Sequence, residues 1–148
     1  MKKVSFTEMK NGTKDDYQLL EKLESQYERK TADRILDYLA SQTTTLEGYQ
    51  ITRLEHSLQA ATRAYKNGES EEMIVATLLH DLGDELAPMN HSQYAASVIR
   101  PYVSEKTYWI ILHHGLFQTY YSAEHLGGDK NAREKYKNAE HYLSLIHI

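Results

Sequence analysis

The chain contains no cysteine, two prolines, two phenylalanines and one tryptophan. Without thiols it has no disulfides, no thiolate nucleophile and no sulfur-ligated zinc or iron–sulfur centre. The prolines, Pro88 and Pro101, leave long stretches free of helix breakers. Apolar stretches are short: the longest, residues 74–79 and 108–112, fall far below the ~20 residues of a membrane helix. No apolar segment follows Met1, Lys2 and Lys3, so no secretory signal is read. A net charge of −4, with no Lys/Arg stripe interleaved with aromatics, argues against nucleic acid as a partner. The expectation is a cytoplasmic chain of 148 residues, one domain's length, that works on a small molecule and uses neither nucleic acid nor membrane.

What is present reads as helix. Hydrophobic residues make up 41% and charged residues 26%, the balance of a folded globular protein. There is no period-two alternation of any length and no internal repeat. Thr13 is placed to cap a helix that opens with Lys14, Asp15 and Asp16, carboxylates near its positive end. A second helix carries Ile35, Leu36 and Leu39 and stops in a loop containing Thr43, Thr44, Thr45 and Gly48. A third runs from about residue 51 to 66, with Asn67 and Gly68 as its stop signal. Ser70 caps a fourth that breaks at Gly83, Asn90 caps a fifth that ends before Pro101, and Ser104 caps a sixth that reaches Gly115. A short charged helix near residues 131–136 follows Gly127 and Gly128. The fold class is all-α with short loops.

Eight histidines in a chain without cysteine call for an explanation. His80 and Asp81 end an apolar helix; neighbouring helical residues point about 100° apart, yet at a fraying end they can grip one ion. Imidazole is a neutral nitrogen ligand, and a carboxylate brings charge and two oxygens able to bridge two metals. Taken alone, the doublet reads more readily as a helix cap than as a ligand pair. His56 lies on a stripe with Ala60 and Ala64, beside a second stripe of Ile51, Leu54, Leu58 and Ala61, so its helix reads as buried on more than one side. His91 opens the fifth helix. His114 shares the face of Ile110 and Ile111 and points inward, whereas His113 lies on the side of Trp109. Each histidine has an ordinary explanation by itself; jointly, His56, His80, Asp81, His91 and His114 read as a metal site. The tyrosines, twelve in all, mostly fall at helical spacing and read as packing residues, with Tyr120 and Tyr121 near enough to His114 to line a pocket.

The order His56, His80-Asp81, His91, His114, within residues 49–121, resembles the HD-domain superfamily. The resemblance implies an HD-domain helical bundle and a dinuclear branch in which the doublet's aspartate bridges the ions. His56, His80, Asp81, His91 and His114 would then be metal ligands for two divalent ions, with Asp81 the catalytic carboxylate. Iron is the expected metal, with manganese, or a single ion in a truncated chain, as the alternative. The wording around residues 54–61 and 111–118 is similar to diiron oxygenases of the myo-inositol oxygenase and hydroxyphosphonate-cleaving type. Three positions depart from that type and would face the substrate: Tyr49 in place of a glutamate, Asp84 in place of a lysine after the doublet, and Gln118 in place of a phosphonate-pairing lysine. A carboxylate at Asp84, if it faces the pocket, would repel a phosphate ester and hydrogen-bond to a polyol or amino alcohol. The favoured reading is iron-dependent oxygen chemistry on a small polar molecule. A metal-dependent phosphohydrolase of nucleotides or phosphate esters, and a non-catalytic HD binding module, stay open beside it.

Two expectations concern the C-terminal part. Residues 143–148 resemble a translated sequencing adaptor, so the HD domain would be residues 1–142, incomplete at its end, and the adaptor-like tail would lack stable packing; His147 is left out of the site. The family pattern also has a later aspartate. Asp129 reads as a loop or cap residue away from the cluster, so that last ligand would be missing.

Overall fold

The computed structural model describes residues 2–44 and 47–146. Thr45 of the predicted loop and His147 lie outside the described residues. The chain divides into two compact units, residues 1–41 and 42–148. Among the described residues there is no strand, and no helix is long and apolar enough to cross a membrane. The protein is all-α.

The first unit holds α1 (Lys14–Glu28) and α2 (Thr31–Ser41). Thr13 closes a full capping box: its hydroxyl accepts from Asp16 N–H, and the Asp16 carboxylate accepts from Thr13 N–H at 3.0 Å. The same carboxylate also accepts from the Thr13 hydroxyl and from the Ser5 N–H and hydroxyl. These bonds, Thr13 first and Ser5 second, hold the Asp16 carboxyl well below the usual carboxylate range. Such a depressed group stabilises the fold above its ordinary value of 3.8, and the contribution is lost as the pH falls from there toward the lowered value. Thr13→Ala should therefore destabilise by about 1 kcal/mol at neutral pH. In urea titrations the gap to the wild type should narrow on acidification below the ordinary carboxylate range; a gap independent of pH would show that Asp16 plays no part in it.

The second unit is built from α3 (Arg53–Lys66), α4 (Glu71–Leu79), α5 (His91–Ile99), α6 (Glu105–Ser122) and α7 (Tyr142–Ile146). The helices pack as two pairs, α3 on α4 and α5 on α6, joined by α4 against α6, with α7 on α6. Helix α4 is apolar nearly all round, as a central helix must be, and buries Met73, Ala76 and Leu79. Helix α6 buries Thr107, Ile110, Ile111, His114 and Phe117, a stripe at helical spacing. Thr52, Ser70 and Ser104 each accept a hydrogen bond from the third backbone N–H of their helices. Gly68 follows α3 with a φ of 75°, the left-handed turn glycine makes freely.

Several sequence expectations are corrected. Helix α3 starts at Arg53 rather than residue 51, and its buried side chains are Arg53, Ser57 and Ala64, while Leu58 of the predicted apolar stripe is 50% exposed. Asn90 stands at the N-cap of α5, but its side chain makes no capping hydrogen bond. The sixth helix continues through Gly115 to Ser122. The short charged helix expected near residues 131–136 is present as a 3-10 helix, Ala132–Tyr136. In the segment expected to lack packing, Leu145 is 7% exposed while Leu143 is 67% exposed; Tyr142, just before it, sets its ring on Phe117 at 5.4 Å and gives its hydroxyl to Glu134 at 2.6 Å.

Candidate metal centre

The two helix pairs bring the ends of three helices against the middle of a fourth. His56 lies one turn into α3, His80 and Asp81 stand at the C-terminal end of α4, His91 is the first residue of α5, and His114 sits mid-way along α6. Their side chains converge on the Asp81 carboxylate. Oδ2 lies 3.1 Å from the Nε2 atoms of both His56 and His80. Oδ1 lies 3.1 Å from His114 Nε2 and 3.7 Å from His91 Nε2. Two groups able to hold a metal ion result, His56–His80–Asp81 and Asp81–His91–His114, and Asp81 belongs to both.

Backbone carbonyls set the tautomers. His80 Nδ1–H donates to the Thr77 carbonyl at 2.8 Å, and His114 Nδ1–H donates to the Ile111 carbonyl at 2.7 Å. A carbonyl only accepts, so the proton of each neutral ring sits on Nδ1 and the Nε2 lone pair is turned to Asp81. Lone pairs aimed at carboxylate oxygens repel unless a cation lies between them. The His56 and His80 Nε2 atoms also face each other at 3.3 Å. Donor atoms that share one ion at about 2.1 Å each lie roughly 3.0–3.4 Å apart, so the separations and the donor chemistry both suit a metal. Burial by itself raises the pKa of the Asp81 carboxyl; when no ion is bound and the rings are protonated, Nε2–H groups of His114, His56 and His80 outweigh it and lower the value.

Around this centre the structure adds residues that sequence reasoning missed. Arg53, 6% exposed at the start of α3, pairs through Nη1 with Asp84 Oδ2 at 2.7 Å and lies 3.7 Å from Asp81 Oδ2. It is three residues before His56 and so on the same side of the helix, the one signal that could have found it. Two glycines let α5 approach closely. A Cβ on Gly83 would sit 2.9 Å from the backbone of His91, and one on Gly115 would sit 2.7 Å from Ser92 Oγ. Gly83, where the fourth helix was expected to break, lies in the turn after α4; its φ is not positive, and its missing side chain serves close packing.

The remaining predicted positions divide. Gln118 lines a cavity of about 250 Å³ with His56, His80 and His114, walled by Met73, Ile110 and Ile111 and carrying Arg63, Asn67 and Glu69. Tyr49 and Asp84 are not among its lining residues. Tyr49 is 60% exposed, with the Arg53 guanidinium 4.7 Å over its ring. Asp84 does not present a bare negative charge to a substrate, as the sequence suggested, because Arg53 already meets it. Tyr120 and Tyr121 are also outside this lining; Tyr120 stacks under Arg133 at 3.8 Å. His113 stacks on Trp109 at 4.4 Å, on the side predicted for it. Glu55 completes the Thr52 capping box. Asp129 is exposed and accepts from Asn131 N–H at 2.8 Å, a loop role, and it is in neither metal-binding group.

Comparison with known proteins agrees with this geometry. One relative is the [1-hydroxy-2-(trimethylamino)ethyl]phosphonate dioxygenase (glycine-betaine-forming) of Leisingera caerulea, 56% identical over 36 residues. That match covers 24% of this chain and 18% of the enzyme. The HD domain family model matches residues 53–146. It begins at the buried Arg53 and runs through every residue gathered on the Asp81 carboxylate: this chain belongs to the HD domain family.

Proposed function

We propose that the chain is an iron-dependent oxygenase that holds two metal ions and acts on a small polar molecule. The observation that carries this reading is the sharing of one buried carboxylate, Asp81, by two histidine-rich groups. His56 and His80 would hold one ion, His91 and His114 the other, and Asp81 would bridge them. Four imidazoles and a carboxylate form a nitrogen-rich set that suits iron. The dioxygenase similarity supports the same direction. When bound, such iron supplies activation of dioxygen, which the side chains alone cannot.

The protein's own part is positioning. Met73, Ile110 and Ile111 keep one wall of the cavity apolar and limit water near the ligands. Its volume of about 250 Å³ is below that of drug-sized pockets, so the substrate is small. Arg63, Asn67 and Gln118 offer charge and amide groups for orientation, Arg63 being two turns along α3 from His56. Arg63→Ala should raise KM about tenfold, the equivalent of one charged hydrogen bond, and leave kcat within about threefold. A fall in kcat at unchanged KM would place Arg63 outside substrate binding.

The test of the reaction class is oxygen uptake by protein loaded anaerobically with ferrous iron, across polyols, amino alcohols, phosphonates and nucleotides. Substrate-dependent oxygen consumption is expected. Manganese-supported phosphate release without oxygen consumption would replace the oxygenase with a phosphohydrolase.

A further inference from the structure

Three of the four clustered histidines differ from the fourth in how they are held. His80 and His114 are fixed by helix carbonyls, and the Nε2 of His56 lies 3.1 Å from Asp81 Oδ2. His91 opens its helix and has neither support. Its ring lies between two carboxylates, Nε2 3.7 Å from Asp81 Oδ1 and Nδ1 3.7 Å from Asp84 Oδ1. The latter distance is about 0.8 Å beyond a usual N–H···O bond. Ser92 Oγ is the other neighbour of Nε2, at 3.2 Å. The far oxygen of Asp84 is tied to Arg53 Nη1 at 2.7 Å. Both side chains of this pair are nearly enclosed, 7% and 13% exposed, and Arg53 Nε is buried without a hydrogen-bond partner.

A buried ion pair with an orphaned donor is weak support for stability, since apolar residues of similar volume usually do as well or better. Its value lies in direction. Resting on the two-metal reading above, we propose that Arg53 and Asp84 are positioning residues for the His91–His114 group: Arg53 aims Asp84 at His91 Nδ1, which turns His91 Nε2 toward Asp81. Carboxylate support of this kind holds a metal-binding imidazole in one tautomer, and its loss typically lowers metal affinity 10–100-fold. Asp84 has no contact of this kind with the His56–His80 side, and Arg53, 3.7 Å from Asp81 Oδ2, reaches that side only through the shared carboxylate, so the larger effect should fall on the His91–His114 ion.

The experiment is a manganese titration followed by electron paramagnetic resonance. The wild type should take up two ions per chain and show the spectrum of a coupled pair. The double variant Arg53→Met/Asp84→Leu replaces the ion pair by apolar groups and so avoids stranding a buried charge. It should keep one ion at near wild-type affinity, give the six-line spectrum of an isolated ion, and bind the second ion 10–100-fold more weakly. Arg53→Lys, which keeps the charge, should restore coupling, and apo-protein circular dichroism reports folding independently. A double variant that retains two coupled ions at wild-type affinity, or that loses both equally, overturns the positioning role. A wild type with a single uncoupled ion overturns the two-metal reading itself and the role built on it.

Discussion

Asp81→Ala should lose metal from both groups at once, whereas His56→Ala and His91→Ala should each empty one group and leave the other able to bind. The difference follows from the sharing of the carboxylate: Oδ2 serves His56 and His80, Oδ1 serves His91 and His114. Because removal of an outer supporting group already weakens metal binding 10–100-fold, loss of the bridging anion should exceed about 100-fold at both positions. Thermal unfolding with added metal makes the comparison simple. An ion at a hundred times its Kd stabilises a folded chain by about 2.7 kcal/mol, a shift that Asp81→Ala should abolish and His56→Ala should reduce. If His56→Ala removed the whole metal-dependent shift, the two groups would not be separable sites.

The second large effect is expected at Gly83, which binds nothing. A methyl group there would come within 2.9 Å of His91 Cα, His91 O and Tyr94 Cβ, two of them backbone atoms that cannot swing aside. Relief requires the start of α5 to move, and with it His91. Gly83→Ala should destabilise the apo chain by about 2 kcal/mol, as overpacked cores do, or roughly 6 °C in Tm for a chain of this size. It should also weaken the His91–His114 position more than the His56–His80 one. An alanine variant as stable as the wild type, with both positions intact, would mean that α5 is not held against this turn.

The site was legible in the sequence because its residues are of a restricted chemical type and fall where helices begin, end or face inward. Thr13, Ser70 and Ser104 announce helix starts through local hydrogen bonds, which need no knowledge of the rest of the chain. His114 was separable from His113 by helical angle alone, and its burial at 7% follows. Arg53 escaped because an arginine at a helix start reads as a solvated charge; only the tertiary approach of Asp84 makes it part of the centre. Gly115 was misread for a related reason. It looks like a breaker in a linear reading, but what it supplies, as Gly83 does in the turn after α4, is room for α5, a property of two segments at once. Helix α6 therefore continues through Gly115, where the missing side chain leaves space for Ser92 and His91. The C-terminal segment 143–148 was read from its resemblance to an adaptor; Leu145 within it nonetheless buries, as α7 packs on α6.

The central claim, two metal positions joined by one carboxylate, is tested most directly by anaerobic equilibrium dialysis against ferrous iron, with Mössbauer spectra of the loaded chain. Two iron ions per chain, in a coupled spectrum that Asp81→Ala eliminates, is the predicted result. A single iron per chain with the spectrum of an isolated ion, unchanged by His91→Ala, would contradict it.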